Sequence, residues 1–300
     1  MVPTLKTGST EFDPVAFQAL VLPWMRSEQR DLPWRHSRDP WEVFVAECML
    51  QQTQVARVVP KWLAFLERFP TVRACAGGSV GEVITLWEGL GYNRRAVQLH
   101  RCAVSLVEEH GGMFPNTLDG LLPLPGIGPY TARAILAFAF ELDVAVLDTN
   151  VARIVARCVA GRKLTLAQAQ ATADSLVPVG EGWRWNQGML DFGATVCTKR
   201  SPKCDGCPVR SVCQWRRHGS LEADPAEGSA AVTVRQSRFA GSDRQIRGRI
   251  VDSLRRGPLT FATIDVMNNE IDPERVTKII RSLINDGLVA KTSLGFELAR

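Results

Sequence analysis

Long apolar segments are absent from this chain of 300 residues. A charged residue or a glycine interrupts every apolar stretch well before the ~18 residues that a membrane-spanning helix needs, so we expect no membrane segment. A secretory signal pattern is also absent, which predicts a cytoplasmic protein with reduced cysteines. Strand-like alternation of useful length is missing from residues 12–217, which excludes a largely β fold there.

Composition and charge allow a large folded protein with an anionic partner. With 45% hydrophobic residues, the chain can bury a full core and form two or three domains. The net charge of +5 favours a polyanion only weakly. The segment 197–217 is more informative, because it carries six basic residues against one acid, Asp205. That excess suits contact with phosphate groups.

Apolar residues recur at three- and four-residue spacing through most of residues 12–217, which predicts a mainly α fold. The predicted helices are Pro14–Gln29, Pro40–Arg68, Ser79–Glu88, Arg94–His110, Tyr130–Phe140, Asn150–Ala160, Leu166–Leu176 and Trp185–Val196. Residues 219–243 are rich in Gly, Ser, Ala and charge, as linkers are. Beyond them, three helices over 243–286 and a hairpin over 287–298 predict a small winged-helix-like module, residues 244–300.

Four of the eight cysteines fall within 17 residues, at the spacing C-x6-C-x2-C-x5-C. They are Cys197, Cys204, Cys207 and Cys213. Four thiolates suit either tetrahedral zinc or a [4Fe–4S] cluster, but zinc ribbons usually show two C-x2-C pairs. The single C-x2-C pair with gaps of six and five favours one compact loop around a bulkier cluster. Two disulfides are the weaker interpretation in a reducing compartment.

Three further features combine a structural and a functional interpretation. Leu124-Pro-Gly-Ile-Gly-Pro-Tyr-Thr-Ala132 predicts a hairpin that opens a helix, and its Gly126 and Gly128 permit tight backbone geometry for phosphate binding. Asp148 stands where an apolar run meets a new helix, so it is an N-cap candidate that can also face a positively charged transition state. Glu47 has apolar helical neighbours, which would raise its pKa and suit a general acid. A half-exposed helix residue is the more ordinary interpretation, but the polar cluster Leu50-Gln-Gln-Thr-Gln54 that follows favours the functional one.

Together these motifs resemble the helix-hairpin-helix DNA glycosylases with a [4Fe–4S] loop, and among them the adenine-specific MutY-type enzymes. The resemblance covers roughly residues 30–217. It rests on Asp31-Leu-Pro-Trp-Arg35, Glu47-Cys-Met-Leu-Gln-Gln-Thr53, Trp87-Glu-Gly-Leu-Gly-Tyr92, the hairpin, Asp148-Thr-Asn150, Asn186-Gln187 and the four cysteines.

The resemblance implies a catalytic role for four residues. Asp148 stabilises the oxocarbenium-like sugar, Glu47 protonates the adenine, and Asn150 orients the site. Tyr130 stands where bifunctional relatives carry a nucleophilic Lys, and no Lys occurs between Lys61 and Lys163. Without an amine no Schiff base forms, so a monofunctional hydrolase is expected.

The resemblance also implies contacts to double-stranded DNA, from which the target base is flipped into a pocket. Arg30, Leu32 and Trp34 match positions that line the adenine pocket, and Gln187 matches a residue that contacts the base edge. Gln52 and Tyr92 match residues that wedge into the duplex and face the opposite 8-oxoguanine.

The expected function is removal of adenine mispaired with 8-oxoguanine or guanine in base-excision repair, by a monomer that is cytoplasmic, or nucleoid-associated if bacterial. Two helical domains are expected, an iron–sulfur domain (residues 1–34 with 141–218) and a six-helix domain with the hairpin (35–140). Residues 244–300 are too few for the Nudix-like domain of many relatives. Alternatives are a thymine or uracil mismatch glycosylase of the same fold, an endonuclease III-like lyase, and a non-catalytic iron–sulfur DNA-binding regulator.

Overall fold

The computed structural model describes residues 12–217, 223–229, 238–268 and 270–300, and the fold is mainly helical. No helix within these ranges is both long and apolar enough to cross a lipid bilayer. In chain order the helices of the first 217 residues are α1 (Pro14–Ser27), α2 (Pro40–Leu50), α3 (Val55–Arg68), α4 (Val72–Ala76), α5 (Val80–Leu86), α6 (Arg94–His110), α7 (Leu118–Leu121), α8 (Pro129–Phe138), α9 (Thr149–Ile154), α10 (Leu166–Asp174), α11 (Gly182–Thr195) and α12 (Gln214–Arg217). The remaining elements are α13 (Asp243–Leu254), β1 (Leu259–Thr260), α14 (Phe261–Met267), α15 (Pro273–Asn285), β2 (Val289–Lys291) and β3 (Gly295–Leu298).

The chain divides into two compact units. The first unit comprises Met1–Asp31 with Leu136–Val234, and the second comprises Leu32–Ile135 with Arg235–Arg300. The C-terminal module is therefore part of the second unit. Part of the predicted linker, residues 219–222 and 230–237, lies outside the described residues. Its described residues 223–229 pack within the first unit. There Asp224 accepts from Arg157, and the Ser229 hydroxyl accepts from Leu164 N.

The core of the first unit lies between α1, α9, α10 and α11. Phe17 of α1 meets Trp185 of α11 edge-on, with ring centroids 6.2 Å apart, and both are almost fully buried. Gly188 of α11 faces Met25, whose side chain would lie within 2.3–2.8 Å of any added Cβ. A larger residue at Gly188 would therefore force α1 and α11 apart. Beyond Ile154, α9 continues as a π-helical segment, Val155–Ala160.

The hairpin of the second unit joins α7 to α8, as its sequence predicts. Gly126 has φ +77°, and a Cβ there would lie 2.8 Å from Cβ of Gln98, so both the backbone angle and the packing require glycine. Ile127 N donates to Leu124 O at 3.1 Å and closes the turn. Gly128 follows directly before α8, with open space where a Cβ would be.

The C-terminal module has the predicted three helices and hairpin, plus the short strand β1. Its antiparallel sheet has the order β1-β3-β2. The module packs on the helices of its own unit through Arg255, whose guanidinium donates to Ile84 O at 3.1 Å and to Asn93 Oδ1 at 3.2 Å. The name winged-helix-like stays an interpretation of this pattern.

One helix prediction is wrong, since the single helix expected over Pro40–Arg68 is two helices. α2 ends at Leu50 and α3 begins at Val55. Between them Gln52 adopts φ +58°, a left-handed conformation that interrupts the helical backbone. The apolar periodicity runs across this break, so periodicity alone could not show it.

Candidate catalytic and iron–sulfur sites

Asp148 is the N-cap of α9, as predicted from its position. Its Oδ1 accepts from Asn150 N and Val151 N, both at 2.8 Å. Its Oδ2 accepts from Nδ2 of Asn150 at 2.7 Å. Burial raises the pKa of the Asp148 carboxyl above its ordinary value, and these N–H donors oppose that rise. The carboxylate is thus held rigidly by the start of a helix.

Asn150 is held in turn by Arg153, one turn later on α9. Nη2 of Arg153 donates to Oδ1 of Asn150 at 2.8 Å and to Gly193 O at 2.6 Å. Its Nε donates to Cys197 O at 2.7 Å. A continuous chain of hydrogen bonds therefore runs from the Asp148 carboxylate to the backbone of the first cysteine of the loop. Gly193 allows this approach, because a Cβ there would lie 2.6 Å from Cβ of Asn150.

Replacing the buried Arg153 with Met should lower the free energy of unfolding by about 3 kcal/mol, because several acceptors lose their donor inside the protein. Arg153 is 7% exposed. The midpoint of urea unfolding, followed by circular dichroism, measures the change. Arg184→Met is the matched control, since Arg184 is an arginine of the same unit that forms a partly exposed ion pair with Glu181. We expect an effect below about 0.5 kcal/mol there. A loss below about 1 kcal/mol for Arg153→Met would contradict this role of Arg153.

The four predicted cysteines line one small cavity of the first unit. Cys197 and Cys213 are buried, while Cys204 and Cys207 are half-buried. Cys158, on the π-helical segment, lines the same cavity. A hydrogen bond from the Cys158 thiol, together with Arg157, lowers the pKa of Cys197 to about 6, and the Cys158 thiol also lowers the pKa of Cys213 to about 7. Burial instead raises the pKa of Cys207 to about 11.

Arg157 organises this loop from the buried side. The residue is 2% exposed. Nη1 donates to Thr198 O at 2.8 Å and approaches Sγ of Cys197 at 3.6 Å, and Nη2 donates to Lys199 O at 3.1 Å. An ion pair with Asp224 completes its contacts. A fixed cation beside four cysteines suits an anionic cluster. Among the described residues, no three His, Cys, Asp or Glu side chains are placed to hold a single metal ion. The four thiols instead line one cavity together, which suits a cluster bound by all of them.

Glu47 and Tyr130 belong to the second unit. Glu47 lies in the last turn of α2 and is buried, at only 5% exposed. Tyr130 is the second residue of α8 and is half-buried. The neighbouring Thr131 accepts a hydrogen bond of 3.5 Å from Gln51, in the loop after α2.

Gln52, Tyr92 and Gly126 line a common cavity of the second unit, so the structure brings these three predicted DNA-contacting residues together. Gln52 and Tyr92 both have positive φ, +58° and +48°. Left-handed backbone is uncommon outside glycine and costs free energy, so surrounding contacts must hold it. Arg95 provides them, as it donates to the carbonyl oxygens of four residues and to Oγ1 of Thr53. The four carbonyls are those of Cys48, Met49, Leu90 and Gly91.

The residues predicted to line an adenine pocket have structural partners. Arg30 donates from its backbone N–H and from Nε to the carboxylate of Asp191, which is fully buried. Trp34 is 6% exposed and meets Trp62 edge-on at 6.0 Å. Leu32 is half-buried and is the N-cap residue of the short 3-10 helix Pro33–Arg35, which contains Trp34. Each of these residues helps to hold its own unit together, whatever it contacts in DNA.

Gln187 of α11 is 5% exposed. Its neighbour Asn186 is fixed by the backbone, since its side chain accepts from Val146 N at 2.7 Å and donates to Val144 O and Gly182 O, each at 2.8 Å. The Asn186-Gln187 motif is thereby anchored to the segment that leads into Asp148.

Sequence reasoning missed Arg95, Arg153 and Arg157, each of which positions a predicted site. Arg153 and Arg157 stand four residues apart within an apolar helical run. A buried charge needs partners, so two arginines inside such a run are a signal that could have revealed them.

Comparison with known proteins shows which family the chain belongs to. A family model described as "HhH-GPD superfamily base excision DNA repair protein" matches residues 45–178, and one described as "Iron-sulfur binding domain of endonuclease III" matches 197–213. An adenine DNA glycosylase of Mycolicibacterium smegmatis is 43% identical over 291 residues, 93% of this chain and 94% of the relative. The chain belongs to the adenine DNA glycosylases of the HhH-GPD superfamily. The resemblance drawn from the motifs is thereby confirmed.

Other relatives and solved structures are similar to a smaller part of this chain. The human adenine DNA glycosylase is 40% identical over 228 residues, 71% of this chain and 42% of its own length. A thermostable thymine-DNA glycosylase structure has a TM-score of 0.63 at 28% identity and covers 68% of this chain and 97% of its own. An endonuclease III–DNA covalent intermediate, with a TM-score of 0.59 at 22% identity over 69% and 98% of the two chains, shows the shared fold.

Membership of this family confirms three predictions. The fold is a helix-hairpin-helix glycosylase fold, the enzyme is a DNA glycosylase that hydrolyses an N-glycosidic bond, and its partner is DNA. The match over residues 197–213 also confirms the [4Fe–4S] cofactor. Cys197, Cys204, Cys207 and Cys213 are the four cysteines of that segment and stay the predicted ligands. Arg157 approaches Sγ of Cys197, and the Cys158 thiol contacts Cys197 and Cys213, so both residues would lie beside the cluster that these thiolates would hold.

Proposed function

We propose that this glycosylase removes adenine opposite 8-oxoguanine, or opposite guanine, by hydrolysis without strand cleavage. The carboxylate of Asp148 carries the proposal, because backbone and amide donors hold it as a fixed acceptor at the start of α9. A fixed carboxylate stabilises the positive charge that develops on a sugar when its base leaves. The 43% identity to an adenine DNA glycosylase over nearly the whole chain supports adenine as the base.

The proposed reaction uses the chain's own groups. Glu47, which is only 5% exposed, donates a proton to the adenine ring as the bond between C1′ and the base breaks. The bonding electrons leave with the base. Asp148 stabilises the resulting oxocarbenium-like sugar. Water then adds to C1′, and its proton passes to the carboxylate of Glu47, which restores the acid. Asn150 orients Asp148 by its hydrogen bond of 2.7 Å.

Monofunctional hydrolysis follows from Tyr130. A phenol at the second position of α8 cannot form the Schiff base by which a lysine amine leads to strand cleavage. The absence of Lys between Lys61 and Lys163 supports the same conclusion.

A panel of duplexes tests the proposal. The protein is incubated with duplexes containing A·8-oxoG, A·G, T·G, U·G and thymine glycol, and products are resolved before and after alkali. We expect adenine release from A·8-oxoG and A·G, with nicks only after alkali. Activity confined to T·G or U·G would favour the thymine or uracil mismatch alternative, and nicks before alkali would contradict monofunctional hydrolysis.

A further inference from the structure

A fifth thiol belongs to the cavity of the cysteine loop. Cys158 lies on the π-helical segment Val155–Ala160, outside the loop, and lines the cavity together with the four predicted ligands. It is 3% exposed. The other cysteines outside the loop, Cys48, Cys75 and Cys102, belong to the second unit. Four thiolates suffice to hold a [4Fe–4S] cluster, so the place of Cys158 in this cavity calls for a different role.

The two buried ligands of the loop lie against this segment. Sγ of Cys197 is 3.6 Å from Nη1 of Arg157, and Sγ of Cys213 is 3.8 Å from the carbonyl oxygen of Arg157. Cys158 follows Arg157 directly, and its thiol hydrogen-bonds to the sulfur atoms of both Cys197 and Cys213. One side chain of the π-helical segment therefore touches two of the four sulfur atoms that would hold the cluster.

Close packing holds Cys158 beside these sulfur atoms. Gly161 ends the π-helical segment with φ +61°, and a Cβ there would lie 3.0 Å from Cβ of Gln214, the residue after Cys213. Glycine thus lets the C-terminal end of the cysteine loop approach the segment that carries Cys158. Short π-helical segments are rare, and they are frequent at functional sites.

Cys158 differs in charge from two other donors to the loop sulfurs. Arg157 faces Sγ of Cys197, and the guanidinium of Arg216 donates to Sγ of Cys204. Both are cations, so replacing either one would change the charge near the cluster as well as a hydrogen bond. Cys158 offers an uncharged S–H group. Its replacement therefore isolates the effect of one hydrogen bond while the net charge stays the same.

We propose that Cys158 donates a hydrogen bond to the ligand sulfurs of Cys197 and Cys213, and thereby raises the reduction potential of the [4Fe–4S] cluster. A hydrogen bond withdraws negative charge from a ligand sulfur, so it stabilises the state of the cluster that carries one more electron. Because a thiol has a single hydrogen, Cys158 donates to one of the two sulfurs at a time. The inference concerns the cofactor and holds whichever base the enzyme removes.

Film voltammetry of the cluster-loaded protein measures this contribution. Cys158→Ala should shift the one-electron equilibrium toward the oxidised cluster by about threefold, the effect of losing a weak donor. The reduction potential then falls by about 28 mV, at ~59 mV per tenfold change. Cys158→Ser replaces the S–H donor by an O–H donor, so its potential should lie closer to that of the unaltered protein. Cys102→Ala is the matched control, because Cys102 is a fully buried thiol of the second unit and does not line the cavity.

Iron and sulfide content, determined first, shows that each protein compared holds a complete cluster. If Cys158→Ala loads incompletely, Cys158→Val, which fills the place of the thiol without a donor, gives the same comparison. An unchanged potential in the variant without a donor would overturn the role of Cys158. An equal fall in Cys158→Ser would also overturn it, because the effect would then come from packing, and so would an equal fall in Cys102→Ala.

Discussion

Asp148→Asn should lower the rate of base excision by about a thousandfold or more while leaving duplex binding nearly intact. Asn still accepts the backbone bonds of Asn150 and Val151 as an N-cap. The introduced Asn carries no negative charge. Its Nδ2 would face Nδ2 of Asn150, at the place where Oδ2 of Asp148 accepts a hydrogen bond in the unaltered protein. Single-turnover kinetics on A·8-oxoG duplex and a gel-shift titration measure the two quantities.

The matched control is Asp143→Asn in the same unit, because Asp143 also accepts from backbone N–H groups, those of Gly180 and Gly182. We expect its excision rate to stay within a few-fold of the unaltered protein. An Asp148→Asn variant that keeps most of its activity would show that the charge of Asp148 is not used.

The excision rate should depend on pH through the ionisation of the Asp148 carboxyl. Burial raises the pKa of Asp148, so the charged form is lost at a higher pH than for an ordinary Asp, and the rate should fall on the acidic side accordingly. The folding stability changes with pH in the opposite direction to the excision rate. A raised pKa in the folded protein means that this group stabilises the fold when protonated, and that contribution is lost as the pH rises through the raised value. Asp148→Asn should therefore remove this contribution to the pH dependence of the melting temperature.

Glu47→Gln should slow excision by about a hundred- to ten-thousandfold, the range that a general acid contributes. Glutamine keeps the shape of the side chain at a position that is 5% exposed, but it has no acidic proton to give to the adenine. Duplex binding should change little, because the chemical step alone loses its proton donor. Rates are measured in a single turnover with enzyme in excess, so that product release does not mask the loss.

Glu42→Gln serves as the control for Glu47, since Glu42 is a half-buried carboxylate in the first turn of the same helix. Its excision rate should match that of the unaltered protein. Equal rates for both variants would place the proton donor elsewhere in the chain.

Local sequence predicted local structure well. The helix over Arg94–His110 begins and ends as its periodicity indicates, and the glycines of the hairpin are required by the backbone angle of Gly126 and its contact with Gln98. The N-cap role of Asp148 could likewise be predicted, because its partners lie two and three residues away. The break in Pro40–Arg68 could not, since the left-handed conformation of Gln52 is held by loop contacts from distant residues such as Arg95.

The sequence by itself determined which chemical groups this glycosylase has: four closely spaced thiols, two isolated carboxyls, a glycine-rich hairpin, and a tyrosine directly after that hairpin. Each is encoded by residue type and short spacing. Only the tertiary structure decided what holds and joins them. Arg157 meets Asp224 across 67 residues of chain, and Arg244 meets Tyr92 across 152. Such contacts depend on how helices pack, and periodicity gives the buried face of a helix but not the partner that covers it.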